Sequence, residues 1–363
     1  MTLRADVEAL AAMTRDSAGA GERAAAAWLA DRLRAAGAQD VRVEPYRSQG
    51  TYAWIHAAHA AVGLLAAARG GRAGAALALA ALVSLELEGS GRCQWLRRGL
   101  PAGEGANVVA RVPARGRRER TLVLAAHHDA ARTGLAWDPR IRALEAGRNA
   151  RRRRIDGFLQ PVAAALGMAA LPWRPARAAG AAVLALAAAL DVDIARSPTV
   201  PGANDNATGV AALIALAAEP LDGTEVILVS TGCEESGMGG MRAFLRAHAH
   251  ELDPGTTLVL GLDTLGSGVP AVVAAEGVIR THRYREEDLA LVPAEAERWR
   301  IGGWTDPVLA RFAGLPALCL ISFRDGWIPN YHRLTDTPER VDYACVERCV
   351  ELARATARAF SAR

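Results

Sequence analysis

The sequence predicts an α/β fold: a mixed, mostly parallel sheet sandwiched by helices, with two inserted apolar helical hairpins. Three observations predict it. Continuous apolar strand candidates alternate with helical stretches, the pattern of a sheet covered on both faces. Acids and histidines fall directly after several of those strands. Two pairs of uncharged, alanine-rich runs stand apart from the alternation.

Leu3, Val7, Leu10 and Met13 have helical spacing, and Ala26, Leu29, Leu33 and Ala36 repeat it before a stop at Gly37. Val41, Val43 and Tyr46 suggest a strand. Further strand candidates are Val108–Val112, Thr121–Ala126, Glu225–Ser230, Thr257–Leu262, Val269–Ala274 and Ala317–Phe323. Helix candidates are Ala207–Ala218, Gly239–His248, Pro307–Ala313 and Val341–Phe360.

The first apolar pair runs Thr51–Ala68 and Ala73–Leu85 around an Arg69-Gly-Gly-Arg72 turn. The second runs 157–173 and 178–190 around Pro172-Trp-Arg-Pro175. Spanning helices want about 20 apolar residues. These shorter runs favour helices packed on each other or on the domain, with membrane contact as the alternative. Arg97–Arg98 and Arg151–Arg154 flank them on one side, but Arg69, Arg72, Arg174 and Arg177 lie on the other, so the positive-inside signal is mixed. The Arg151–Arg154 run reads as a solvated loop.

Composition narrows the chemistry. At 51% hydrophobic and 23% charged over 363 residues, the chain is globular and can bury a large core. All 43 basic residues are arginine, which excludes a Schiff-base or phosphate-loop lysine. A net charge of +4 makes no case for nucleic acid. Five cysteines without a C-x-x-C give neither a disulfide framework nor a thiolate metal site. The charged N-terminal stretch lacks an apolar signal core, so the expected setting is cytoplasmic, with the cytoplasmic face of a membrane as the alternative.

The Thr121 strand runs into His127-His128-Asp129, the Glu225 strand into Glu234-Glu235, and the Thr257 strand into Asp263. Ligands of open α/β sheets bind beyond the carboxyl ends of the strands. Asp205 sits in a polar loop opening a helix, and His332 in a loop after the last strand. Mixed histidine and carboxylate sites suit zinc, or otherwise manganese or cobalt. Each residue alone has a plainer reading. Asp205 could be an N-cap, Glu234-Glu235 a surface pair, and His332 a structural histidine. Their ordered coincidence raises the odds of a site.

In chain order, H-x-D, G-A-N-D-N-A-T-G, E-E-S-G, L-D and Y-H-x-x-x-D resemble the di-zinc aminopeptidase family, which also includes glutaminyl cyclases and the transferrin receptor peptidase-like domain. The resemblance covers residues 1–46, 107–130 and 200–363. It implies one zinc-exopeptidase-like catalytic domain over 1–363, with insertions at 50–106 and 131–199. It implies two Zn2+ per chain: His127, Asp205 and Asp263 on one, and Asp205, Glu235 and His332 on the other, with Asp205 bridging. Glu234 becomes the general base, and Asp129 orients His127. His128 falls outside the ligand set, and Asp306 reads as structural.

The implied activity is hydrolysis of N-terminal peptide bonds by a hydroxide that the metal holds. Trp304, Trp327 and Tyr331 are candidates for a substrate pocket. Alternatives are single-zinc, glutaminyl cyclase-like acyl transfer and a non-catalytic, membrane-associated scaffold. The absence of G-x-S-x-G argues against a serine hydrolase. The insertions could form a lid, a dimer contact or a membrane anchor.

Overall fold

A computed structural model describes residues 2–363, apart from the side chains of residues 142 and 144. The chain opens with α1 (Leu3–Ala11), α2 (Ala20–Ala35) and strand β1 (Gln39–Ser48). The first apolar pair follows as α3 (Ala53–Arg69) and α4 (Gly71–Gly89). Next come β2 (Gly103–Val112), β3 (Arg115–His127), α5 (Pro139–Arg152) and β4 (Arg154–Ile155). The second pair is α6 (Leu159–Ala169) and α7 (Arg174–Arg196). The remainder is α8 (Thr208–Leu216), β5 (Asp222–Thr231), α9 (Gly239–His248), β6 (Thr257–Leu262), β7 (Val269–Glu276), β8 (His282–Arg283), α10 (Glu286–Leu289), β9 (Glu297–Ile301), α11 (Asp306–Phe312), β10 (Ala317–Phe323) and α12 (Tyr343–Ser361).

The strands form one mixed sheet in the order β1-β2-β5-β3-β6-β10-β7-β9-β4, with β8 paired to β7. Its centre, β5-β3-β6-β10, is parallel, so these four strands end on the same edge. All six residues of β6 and all seven of β10 are buried, as strands covered on both faces require. Helices α1, α2, α8 and α12 cover one face, and α9 and α11 the other.

Local chemistry starts several helices. Thr2 caps α1 by accepting from Ala5 N–H, and Asp342 caps α12 by accepting from Cys345 N–H. Cys345 and Cys349 then face inward on α12, where both are buried. The Arg151–Arg154 segment corrects the solvated-loop reading. Arg151 and Arg152 end α5, and Arg154 pairs with β9 through β4. Helix α5 starts at Pro139 behind an Asp138 cap, but its exposed, arginine-rich surface leaves no apolar period to read.

The two apolar pairs pack into a four-helix bundle with its own core, which includes Ala60, Ala78, Leu85, Leu166 and Leu184. In the ring of contacts α3 touches α4 and α7, and α6 touches α4 and α7.

Helix α8 begins against the sheet at Gly209. A Cβ there would lie 2.3 Å from the Leu262 carbonyl oxygen, at the end of β6. We expect Gly209→Ala to lower the unfolding free energy by about 1–3 kcal/mol through overpacking. Gly167→Ala has open space in helix α6 and should instead gain about 0.5–1 kcal/mol from helix propensity. Chemical denaturation of both variants checks the opposite signs.

Candidate metal centre

The carboxyl ends of the central strands deliver the ionisable groups. His127 is the last residue of β3, and Glu234 and Glu235 lie in the turn after β5. Asp263 directly follows β6, and His332 lies in the loop after β10. Asp205 comes from the loop ahead of α8, and the helix takes no side-chain cap from it.

These residues converge. His127 Nε2 lies 3.3 Å from Asp205 Oδ1 and 3.8 Å from Asp263 Oδ1. His332 Nε2 lies 3.3 Å from Asp205 Oδ2 and 3.2 Å from Glu235 Oε2. Asp205 thus presents one carboxylate oxygen to each histidine. Ligand atoms of His127, Asp205 and Glu235 all lie within 4.8 Å of one another.

The donor set fits a metal. Among the described residues, Asp205 Oδ2, Glu235 Oε1, Asp263 Oδ1 and both ring nitrogens of His332 are buried without a hydrogen-bond partner. Buried polar atoms are normally paired. Carboxylates and imidazoles that face one another without partners match the nitrogen and oxygen ligands of zinc.

The local field is strong. Burial pulls His127 down, but Asp129, Asp205 and Asp263 outweigh it and raise the imidazole well above its ordinary value. Burial also opposes protonation of His332, yet Glu235 and Asp205 carry it up to about 9. Burial favours the neutral form of Asp205, but His127 and His332 hold it well below the usual carboxylate range. Burial raises Glu235 and Asp263. It also raises Glu234, with Asp306, Glu235 and Asp263 adding to it against His127.

A layer of hydrogen bonds holds the ligand-bearing loops. Asp129 lies two residues beyond His127, just past the end of β3, with its carboxylate 3.4 Å from His127 Nδ1. It also accepts from Ser17 Oγ at 2.7 Å and from the Glu234 and Glu235 N–H groups at 3.1 Å each. His128 contacts Ser230 Oγ at 3.0 Å, and burial lowers it to about 4. Asp306 accepts from Thr231 Oγ1 at the end of β5, and burial raises it to about 7.

Several supporting residues had no role in the sequence reading. Asp336 closes the Y-H-x-x-x-D motif and accepts from the Asn204 and Asp205 N–H groups at 2.9 and 3.1 Å. Asn206 accepts from Gly209 N–H and Thr264 N–H and donates to Leu262 O, tying the Asp205 loop to the Asp263 loop. Arg15, fully buried, donates to the carbonyls of His128, Pro201 and Gly202. The Asp and Asn residues inside the quoted motifs could have signalled the first two. Arg15 carries no local signal.

An open cavity of about 220 Å³ lies over the cluster, with Glu234 in its wall. Trp304, Trp327 and Tyr331 all line it. So do Tyr52, His56 and Phe158 from the two inserted segments, which the sequence reading did not single out, and Arg97, which it read only as a flanking charge. Trp137 packs edge-on against His332 at 4.4 Å, and Tyr331 stacks on the same ring at 3.8 Å. Arg97 pairs with Glu88 at 3.1 Å and donates to Ser236 O at 2.6 Å, joining the first inserted segment to the Glu234–Glu235 turn.

The sequence profile of Peptidase family M28 matches residues 175–357. The chain belongs to peptidase family M28. The match takes in Asp205, Glu234, Glu235, Asp263 and His332, while His127, at the end of β3, and Asp129, just beyond it, precede the match. No curated protein sequence matches this M28 chain. Its fold is similar to an aminopeptidase from Aneurinibacillus sp. strain AM-1, at 14% identity and a TM-score of 0.58 over 98% of this chain and 92% of the other. It is also similar to the Bacillus subtilis zinc aminopeptidase BSAP, at 14% identity and a TM-score of 0.54 over 98% and 93%. The glutaminyl cyclase of Fimbriiglobus ruber gives 13% identity and a TM-score of 0.54 over 99% and 94%.

Asp129 orients a candidate ligand and anchors both glutamates, so Asp129→Ala in the M28 chain should weaken Zn2+ binding by about 10–100-fold. Ser17→Ala leaves Asp129 in place and should weaken it far less. Competition titration against a chelator reads both.

Proposed function

We propose that this M28 chain is a zinc-dependent aminopeptidase that hydrolyses N-terminal peptide bonds. The observation that carries the reading is Asp205 standing between His127 and His332, one oxygen towards each, beneath an open cavity that also contains Glu234. His127, Asp205 and Asp263 would hold one zinc ion, and Asp205, Glu235 and His332 a second. Bound zinc supplies Lewis acidity towards the scissile carbonyl and makes water acidic near neutral pH.

The chain's own groups do the remaining work. Asp129 keeps the His127 ring oriented with Nε2 towards Asp205 and Asp263. Glu234 takes a proton from the attacking water at its carboxylate and returns it to the departing amine. Trp304, Trp327 and Tyr331 give the cavity apolar walls against which a peptide side chain can pack. The two inserted segments narrow the approach through Tyr52, His56 and Phe158, which favours short peptides over folded chains.

Two zinc equivalents per chain by elemental analysis, with release of the N-terminal residue from aminoacyl amides and short peptides, are expected. One equivalent, with cyclisation of an N-terminal glutamine peptide, would replace this reading with glutaminyl cyclase-like acyl transfer. Glu234→Gln should retain metal and lose turnover by about 10²–10⁴-fold. Undiminished turnover in that variant would remove Glu234 as the base.

A further inference from the structure

We propose that the four-helix bundle built by α3, α4, α6 and α7 inserts tip-first into an anionic lipid bilayer and holds the catalytic domain at the membrane surface. The inference does not depend on the catalytic reading.

A helix on the surface of a soluble domain ordinarily turns a charged face to water. This bundle does not. On α4 the exposed positions include Ala76, Leu79 and Val83, with Leu79 51% and Val83 60% exposed. On α7 they include Ala182, Leu186 and Ala189, with Leu186 61% exposed. These two helices sit diagonally across the bundle with α3 and α6 between them, so apolar surface runs around it instead of forming one stripe. On α3, Leu65 is 65% exposed. Contiguous exposed apolar surface of this kind marks a site of interaction.

The charge pattern selects the occupant. Residues 51–85 and 157–190 contain no Asp, Glu or Lys, and their arginines are Arg69, Arg72, Arg174 and Arg177. These four lie at the two hairpin turns, and the turns are neighbours, since Arg177 donates to Ala67 O at 3.2 Å. Trp173, at the same tip, is 66% exposed. Arginine with an exposed tryptophan beside apolar surface is the composition of a membrane interface. An all-positive tip complements lipid phosphates and opposes pairing with a second, identical tip.

The dimensions agree. Between Arg72 and Glu86 on α4, and between Arg177 and Asp191 on α7, lies the same uncharged length, about 20 Å at 1.5 Å per residue. Snorkelling arginine side chains and local thinning accommodate a band shorter than the roughly 30 Å hydrocarbon layer. Helix α7 has the length and apolar composition to cross a membrane. Polar side chains inside the band are paired, with His59 and Ser84 meeting at 2.9 Å. At its other end the bundle reaches the cavity wall through His56, Gly89 and Leu159, which sets the cavity near headgroup level.

Vesicle flotation of the purified full chain tests this. The probes are unilamellar vesicles of phosphatidylcholine with phosphatidylglycerol, and of phosphatidylcholine alone. The wild type should float with the anionic vesicles, and the combined Leu79→Glu, Val83→Glu and Leu186→Glu variant should stay behind while keeping the wild-type metal content. Each of Arg69→Gln and Arg174→Gln should lower partitioning about fivefold at low salt and leave the residual binding less salt-dependent. Wild-type protein that stays in the soluble fraction with both vesicle types would overturn the proposal. So would a dimer by light scattering that Leu186→Glu splits, because the apolar surface would then be an interface between copies.

Discussion

The carboxylate of Asp205, shared between His127 and His332, is the interaction on which the candidate metal centre depends. Asp263 and Glu235 crowd the same small volume from two other loops. Like charges this close cannot all stay ionised in a buried site unless cations balance them. The surrounding architecture keeps them there. Arg15 ties together the backbone on either side of the site, and Asp336 and Asn206 clamp the Asp205 loop from below. Asp129 fixes the His127 ring and the Glu234–Glu235 turn through one carboxylate. These hydrogen bonds tie the separate ligand-bearing loops to one another.

The inserted segments are built differently at their two ends. At the base they join the site: Trp137 packs on His332, and Arg97 reaches the turn that carries the glutamates. Beyond the base, the bundle packs on its own small core of alanine and leucine. Much of the packing of these helices is therefore with one another. The bundle's outer surface is then free to be selected for something other than packing against the domain.

Much of the fold was legible. The six strand candidates after residue 100 were largely apolar runs, and each is a strand of the sheet. Helix α9 could be read to its ends because its apolar positions alternate cleanly with charged ones. What escaped was built from charged residues. Strand β9 has the sequence Glu-Arg-Trp-Arg-Ile, in which Trp299 alone is buried, and β4 is two residues long. Such elements exist because a neighbouring strand offers hydrogen bonds, and a single sequence window does not contain that neighbour. Helix α5 was missed for a related reason, since its sequence is rich in arginine and the one buried side chain described on it is the polar Asn149.

The candidate site divides along the same line. Strand-end residues such as His127 and Asp263 stand out because an apolar run stops abruptly at an ionisable group. Their supporters Ser17 and Arg15 sit in an unremarkable loop and matter only because that loop packs beneath β3. By itself, the sequence determined which groups emerge at the carboxyl ends of the strands, because strand period and chain direction are local properties. It also determined that the apolar stretches of the hairpins carry charge only at their two ends, arginine at the turns and acids at the base. Tertiary structure alone decided that Asp205 faces two histidines at once, that Asp129 serves both glutamates, and that the hairpins form a single bundle over the cavity. Those outcomes require residues far apart in the chain to meet, and long-range closure is set by the packing of the whole chain.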